Sequence, residues 1–492
     1  MKTAQSTRNR WGPAAAATAS GLLAAAAFPP LGFWPLAFPG IALLDRAIAG
    51  QGPASRARRG WLAGVGLLGP GLFWMHEFTV PGWVAGVAFS ATLFALGPLV
   101  AGGGRGRWLA LPGGLVLVDA LRAAWPFDGV PVATLDQTQI GGPLAPAVRL
   151  GGPLLLTGLV ALAGVALSAA RERAWRPALA AAAVVVAAAA AGWVAPNGHA
   201  NGLLRVALVQ GGGERGTRAV DTGSERVFAA HLAASERVNP PVDVVLWPED
   251  VVDVEGDVTA TAAGRRVAAI AAGLDATLVA GVVEGEEDRF RNWALAWGPD
   301  GDVVARYEKN VRVPFGEWIP FRSVVEAIAD VSDVPRDAAV GHGPGILRTP
   351  AGDLGVVISW EVFFARRARA AVNAGGEVVL VPTNASSFRG GQMPAIELQV
   401  ARLRALETGR WVVQAAPTGF SGVVDPDGRV LDHTDLGDRA VLHTTVDLRT
   451  GRTPYARAGD LPVLAGAGVA VAAPSLWRRR RRGAAVIPPA GG

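Results

Sequence analysis

Three short stretches of the chain carry the kinds of side chain that acyl transfer needs. Gly355-Val-Val-Ile-Ser-Trp-Glu-Val-Phe-Phe364 reads as a short buried strand, Gly355 to Ile358, that delivers Ser359 and then enters an Arg/Ala-rich helical stretch from Glu361 to Ala374. A serine between a strand end and a helix start is held exposed, and the helix N-terminus offers N–H groups and a positive dipole end to developing negative charge. Asp243-Val-Val-Leu-Trp-Pro-Glu249 is a hydrophobic strand that ends in a carboxylate. Val303 to Tyr307 runs into Glu308-Lys309 and then Val313-Pro-Phe-Gly-Glu-Trp-Ile-Pro320. Taken singly, each residue has a plainer use: serine caps helices, and a Glu or Lys at a strand end is most often a solvated charge. Brought together they would supply a nucleophile, a proton acceptor and a cation for an oxyanion.

To meet, these residues need a sheet whose strand ends converge. After Asn197 the composition changes. Leu203–Gln210, Val242–Trp247, Ala276–Val283, Trp293–Trp297, Val303–Tyr307, Gly355–Ile358, Glu377–Pro382, Trp411–Ala416 and Ala440–Val446 have strand character. Helical patterns cover Ser224–Val238, Thr259–Gly273, Arg366–Ala374 and Pro394–Thr408. Strands alternating with helices indicate an α/β domain over 200–455, in which groups at neighbouring strand ends face one crevice. Trp297-Gly-Pro-Asp-Gly-Asp302 and Val424-Asp-Pro-Asp-Gly-Arg-Val430 are turn sequences between strands and predict hairpins.

The rest of the chain is far more apolar. Half of the 492 residues are hydrophobic, 16 are Trp, and the mean hydropathy is +0.30, which points to a membrane domain. Seven apolar segments lie within residues 1–199, at about 12–28, 31–49, 60–77, 80–102, 107–125, 152–170 and 177–195, and an eighth at 460–476 within 456–492. Each approaches the ~20 residues a helix needs to cross the hydrocarbon core. The first run follows Lys2, Arg8 and Arg10 like a signal peptide, but its neighbour comes after only a Pro-Pro turn. Several are Ala/Gly/Val-rich, as in Ala178–Ala191, which suits close helix packing. The connection Trp125–Gly151 reads either as a re-entrant or substrate-lining loop or as an ordinary exposed one.

Charge orients the set. Basic residues occupy the N-terminus and alternate loops (Arg46, Arg56, Arg58, Arg59; Arg105, Arg107; Arg171, Arg173, Arg176) and the run Arg478–Arg482, whereas the other loops hold chiefly Arg122 and Arg149. The positive-inside rule then predicts eight spans, both termini cytoplasmic, and 200–455 outside the cytoplasm. The net charge of +5 resides in these loops, so the bilayer accounts for it and no nucleic-acid partner is expected.

Other chemistries find little support. With no cysteine there is no disulfide, no thiolate metal ligand and no thiol nucleophile. The histidines (His76, His199, His231, His342, His433, His443) lack metal-ligand spacing, so no metal site is expected. Gly211-Gly-Gly-Glu-Arg-Gly216 lacks the Gly-Lys-Ser/Thr of a phosphate loop, and Gly419-Phe-Ser421-Gly422 is not the Gly-x-Ser-x-Gly of hydrolases.

Over nearly its whole length the chain resembles the apolipoprotein N-acyltransferases, bacterial membrane enzymes with a nitrilase-like domain inserted before the last of eight spans. The resemblance rests on Trp247-Pro-Glu249, Tyr307-Glu-Lys309, Val313-Pro-Phe-Gly-Glu317, Ser359-Trp360-Glu361, Pro382-Thr-Asn384 and Ala401-Arg-Leu-Arg-Ala-Leu-Glu-Thr-Gly-Arg410. It implies an α-β-β-α sandwich with a Glu-Lys-Cys triad, in which Glu249 is the general base and Lys309 stabilises the oxyanion. Glu317 and Glu361 would be further acidic residues lining the site, with Asn292 near it. The apolar residues near the site, Trp318, Trp360, Phe363 and Phe388, read either as lining for an acyl chain or as structural packing. The implied donor is a phospholipid, the acceptor a diacylglyceryl-modified lipoprotein, and the location the inner membrane, with no metal or organic cofactor.

One departure stands out: Ser359 occupies the place of the family's nucleophilic cysteine. A thiol ionises near ~8.5 and leaves well, whereas a hydroxyl needs a well-placed base throughout. Three readings follow: the same reaction run through a serine ester, a homologue that binds lipid or lipoprotein without turnover, and a Cys→Ser substitution that silences the site. A membrane-tethered amidase is a further alternative, against which eight spans argue, since a small soluble substrate needs no such bundle.

Overall fold

The structure is a computed structural model that describes residues 5–213, 223–327, 330–384 and 391–484. The chain divides into two compact units, Met1–Val194 with Ala458–Gly492, and Ala195–Arg457.

In the first unit every apolar segment coincides with a helix: Gln5–Ala25, Ala37–Ile48, Pro53–Gly71, Val80–Ala101, Arg107–Arg122, Val148–Arg171, Trp175–Val194 and Leu461–Ala484. Among the described residues three helical stretches, Val80–Ala101, Ala145–Arg171 and Trp175–Val194, are long and apolar enough to cross a membrane by length and composition, and Leu461–Pro474 is a shorter apolar one. Ala37–Ile48 has 12 residues and rises only ~18 Å, short of a ~30 Å hydrocarbon core. Small residues bring backbones together: a Cβ on Gly21 would lie 2.0 Å from the Ala63 carbonyl oxygen, and one on Gly66 2.3 Å from that of Thr18.

The connection from Trp125 to Gly151 is not an ordinary exposed one, since Pro131–Ile140 are all buried. Arg122 donates to the carbonyls of Val132 (2.6 Å) and Ala133 (3.2 Å), the Leu135 N–H donates to Asp119 Oδ2 (3.1 Å), and Gln137 Nε2 donates to Pro131 O (2.7 Å). Irregular backbone among apolar helices survives when protein groups satisfy it in this way.

The second unit is built from two sheets. The first contains β1 (His199–Gln210), β2 (Val244–Leu246), β3 (Val252–Glu255), β4 (Thr277–Gly285), β5 (Arg289–Trp297), β6 (Val303–Glu308) and β7 (Asp337–Ala338). The second contains β8 (Ile346–Thr349), β9 (Gly352–Val356), β10 (Val378–Pro382), β11 (Val412–Ala415), β12 (Gly422–Val424) and β13 (Val430–His433), and β14 (Ala440–Thr450) returns to the first. The main path of the first sheet runs β14-β1-β2-β4-β5-β6, and the second runs β13-β12-β11-β10-β9-β8. β1, β2 and β4 are parallel neighbours, as are β9, β10 and β11. The two turn sequences close the hairpins β5–β6 and β12–β13.

The period of two along each strand explains the layering. Leu204, Val206 and Leu208 of β1 share a core with Val378 and Leu380 of β10 and Val356 of β9, so the sheets pack face to face. The alternate residues Ala207 and Val209 face Ala234, Val267 and Ala271 of the helices Ser224–Ser235 and Ala262–Leu274. Helices Ala365–Asn373 and Gln392–Thr408 cover the second sheet, which completes an α-β-β-α sandwich.

One expectation near Ser359 is corrected. The paired strand is Gly352–Val356, and Ser359 opens a 3₁₀ turn, Ser359–Phe363, rather than an α-helix. Phe364 is extended (φ −100°, ψ 99°), and the α-helix begins only at Ala365. Glu361 turns its carboxylate back onto the Ile358 N–H (2.9 Å) and so caps the start of this turn. The dipole of a long helix therefore does not act at Ser359.

Candidate active site

Glu249 is placed by a glycine. Beyond β2 the chain stays beside β4, with Trp247 N donating to Val279 O (2.8 Å) and Gly281 N to Pro248 O (3.0 Å). A Cβ on Gly281 would lie 2.3 Å from the Glu249 Cα, so only glycine permits this approach. Asp250, at φ +57°, then turns the chain away.

Lys309 follows β6 directly, and its N–H donates to the Asn292 carbonyl of β5 (2.8 Å). Its Nζ donates to Glu249 Oε1 (2.7 Å) and to Glu317 Oε1 (2.6 Å). Asn292 Nδ2 donates to the same two oxygens, at 2.9 and 3.3 Å, and Glu317 Oε2 accepts from Val313 N (2.8 Å). Glu249 and Lys309 are each only 2% exposed, which makes pairing obligatory. Burial alone would lower the Lys309 ammonium, but Glu249 and Glu317 outweigh it and hold the group above the ordinary lysine range. Burial raises the Glu317 carboxyl, with Lys309 opposing and Glu249 adding to the rise. Lys309 is thus a fixed cation. An ammonium has three donors, and the two carboxylates leave one for a third oxygen.

Ser359 sits at φ +46°, in the left-handed region that a serine occupies only with strain of order 1 kcal/mol or more. Contrary to the sequence-based expectation of an exposed serine, Ser359 is buried, at 9% exposure. Glu361 braces it. Its Oε1 accepts from Asn310 N (2.8 Å) and Val311 N (3.1 Å), both carboxylate oxygens accept from Tyr307 OH (2.8 and 2.9 Å), and Arg367 lies 3.5 Å away. The serine turn is thereby tied to the residues that follow Lys309. Glu361 is fully buried, its oxygens turned toward the protein. Asn384 Nδ2, just past β10, donates to Asp250 Oδ2 (2.8 Å), which joins the strand ends of the two sheets.

Two residues have no role assigned by the sequence alone, Thr383 of the Pro382-Thr-Asn384 motif and Glu397. Thr383 Oγ1, at the end of β10, lies 3.3 Å from Ser359 Oγ and 2.7 Å from both carboxylate oxygens of Glu397. Glu397 is 1% exposed, and burial first, then the Glu249 charge, push its carboxyl up to about 8 against the opposing pull of Thr383 and Lys309. The available signal was a carboxylate on the stripe Met393, Glu397, Val400, Arg404 of a helix that packs inward.

The apolar candidates separate. Trp360 is buried against Phe363 (5.1 Å between centroids) and Phe364 (6.1 Å), so Trp360 and Phe363 belong to the packing of the turn. Trp318 is half-buried, with the Arg312 guanidinium 4.5 Å from its ring centroid. Phe388 and the end of the Gly211–Gly216 stretch lie outside the described residues. Among the described residues no group of three or more His, Asp or Glu side chains is arranged to hold a metal ion.

Comparison with known proteins gives concordant results. Residues 20–166 match the apolipoprotein N-acyltransferase N-terminal domain, and residues 205–455 match the carbon-nitrogen hydrolase family. The chain is 30% identical to an apolipoprotein N-acyltransferase of Mycolicibacterium smegmatis (96% of this chain, 88% of the relative). It is also 30% identical to one of Azotobacter vinelandii (98% of each). Among solved structures, a nitrilase-superfamily member from Saccharomyces cerevisiae aligns with a TM-score of 0.39 at 17% identity, over 50% of this chain and 91% of that one. Two family models in sequence, and relatives alike over nearly the full length, establish that the chain belongs to the apolipoprotein N-acyltransferase family.

Proposed function

We propose that this protein is an apolipoprotein N-acyltransferase: it moves a fatty acyl chain from a phospholipid to the α-amino group of a diacylglyceryl-modified lipoprotein, through an ester on Ser359. The observation that carries the reading is the Lys309 ammonium held between Glu249 and Glu317 at 2.7 and 2.6 Å, with Asn310, the next residue, tied through Glu361 to the serine turn. In the first half-reaction Ser359 Oγ attacks the phospholipid ester carbonyl while Glu249 takes the hydroxyl proton. The remaining Lys309 N–H faces the oxyanion. Collapse expels the lysophospholipid oxygen, which takes the proton back from Glu249. In the second half the acceptor amine attacks the Ser359 ester, Glu249 receives its proton, and Ser359 Oγ leaves and regains a hydrogen. No step calls on a metal or organic cofactor. An alkoxide is a poorer leaving group than a thiolate, so the second half is the slower one here.

The helices that coincide with the eight apolar segments, and the alternation of basic loops, support an eight-span arrangement in the bacterial inner membrane. Both termini are then cytoplasmic, and 200–455 stands on the outer face, within reach of lipoproteins being matured. The test is intact mass analysis of the purified full chain after incubation with labelled phospholipid. Acyl adduct on Ser359 that is discharged by a diacylated lipopeptide is the expected result. No adduct in the wild type, with transfer gained by Ser359→Cys, would show a silenced site; hydrolysis of small amides without transfer would show an amidase.

A further inference from the structure

We infer that Glu397 and Thr383 position the Ser359 hydroxyl: Glu397, acting through Thr383 Oγ1, sets a hydrogen-bond donor against the Ser359 oxygen. This rests on the reading of Ser359 as nucleophile. The contacts are Thr383 Oγ1 to Ser359 Oγ at 3.3 Å and to both Glu397 oxygens at 2.7 Å, and Glu397 is 1% exposed.

The argument turns on counting hydrogens. A hydroxyl has one hydrogen to donate and two lone pairs. If Glu397 is ionised, the Thr383 hydrogen is drawn to the carboxylate, and Thr383 can only accept from Ser359, which turns the serine's own hydrogen away from Glu249. If Glu397 is neutral, its O–H donates to Thr383, the Thr383 hydrogen points at Ser359 Oγ, and the serine hydrogen is free to go to Glu249. A donor on Oγ also favours the oxyanion-like oxygen that forms during attack. A thiolate would gain little from this device; a serine gains both orientation and charge stabilisation.

The surroundings favour the neutral form. Burial is the main cause, and the Glu249 charge adds to it, so the carboxyl keeps its proton to about 8. The cations nearby are committed elsewhere. Lys309 is shared by Glu249 and Glu317, Arg367 faces Glu361 and Tyr307, Arg404 donates to the carbonyls of Val362 and Phe363 and pairs with Glu407, and Arg366 and Arg369 lie over Phe364 and Tyr455. Glu361 is spent on Tyr307 and three backbone N–H groups. The β11 and β12 strands, which also pack on this helix, carry no charged residue.

The experiment follows acyl-adduct formation and steady-state transfer to a diacylated lipopeptide from pH 6 to 10, with the full chain in detergent. Acylation by the wild type is expected to fall as pH rises through about 8. Glu397→Gln, nearly isosteric and still a donor, should keep the pH 7 rate within a few-fold and lose that falling limb. Thr383→Val should lower kcat about 10- to 100-fold with KM little changed, Thr383→Ser should restore it, and in a Ser359→Cys background Thr383→Val should have little effect. An unchanged alkaline limb in Glu397→Gln, or unchanged kcat in Thr383→Val, would overturn the positioning role while leaving the acyltransferase reading intact. A wild type that never forms the adduct at any pH would overturn both.

Discussion

Two clusters in this chain have the same composition, two carboxylates around one cation, and they are built differently; of the four carboxylates only Glu172 is exposed. In the helical unit Arg107 Nε donates to Asp45 Oδ1 (3.0 Å), Arg107 Nη2 pairs with Glu172, and Ser168 Oγ donates to Asp45 Oδ2 (2.6 Å). The groups come from helices Ala37–Ile48, Arg107–Arg122 and Val148–Arg171 or the residue just past it. The planar guanidinium matches its acceptors with a rigid fork. In the α/β unit Lys309, Glu249 and Glu317 all lie on irregular backbone beyond strands, and Glu249 packs on a glycine that admits no side chain. The ammonium is a compact charge with a donor left over. The first cluster fastens regular helices to one another. The second gathers its charged groups on irregular backbone outside the strands. Ion pairing alone does not distinguish the two clusters; the backbone that carries them does.

The sharpest way to break this comparison is to remove the nucleophile and the structural cation in parallel. Ser359→Ala should abolish the acyl adduct, a loss of ~10³-fold or more, whereas Arg107→Leu should leave the rate per folded molecule within a few-fold. An Arg107 variant that folds yet loses acylation would erase the distinction. Next, Lys309→Met leaves Glu249 and Glu317 buried without their cation. It should remove acylation about 10²- to 10³-fold and destabilise the fold by about 3–5 kcal/mol; Arg107→Leu should match it in thermal unfolding but not in chemistry. Stability should also depend on pH through Glu397. Its carboxyl lets go of the proton near 4.5 when unfolded and near 8 when folded, so the native state binds more protons across that window. Stability therefore declines as pH rises from about 4.5 to about 8, by as much as ~5 kcal/mol, and is level above it; Glu397→Gln should flatten the curve in thermal scans. The smallest effect expected is at Gly281. Gly281→Ala must push Glu249 aside, at about 1–3 kcal/mol, and should lower kcat while leaving the Arg107 cluster untouched.

Much of the architecture was legible in the chain itself. Runs of apolar residues marked every helix of the first unit, and short alternating or apolar runs marked most strands of the second. Glu249, Lys309 and Ser359 stood out because each ends or follows such a run. The edge strands Val252–Glu255 and Ile346–Thr349 were missed, since each is only four residues long and carries charged side chains within or beside its apolar ones. Glu361 was expected to line the site and is instead its brace, a role visible only once Asn310 and Val311 are seen to donate to it. Whether the Trp125–Gly151 connection was buried could not be decided either, because its polar residues suit a solvated loop as well as a satisfied interior one.

What the sequence by itself determined about this protein is the set of elements and the kinds of side chain at their ends, because periodic burial of apolar groups is a local property of the chain. Only the tertiary structure decided that Lys309 lies between two carboxylates, that Ser359 opens a tight turn rather than a long helix, and that Thr383 and Glu397 stand behind it. A buried polar group is defined by its partners, and the partner of Lys309 at Glu249 lies 60 residues away along the chain.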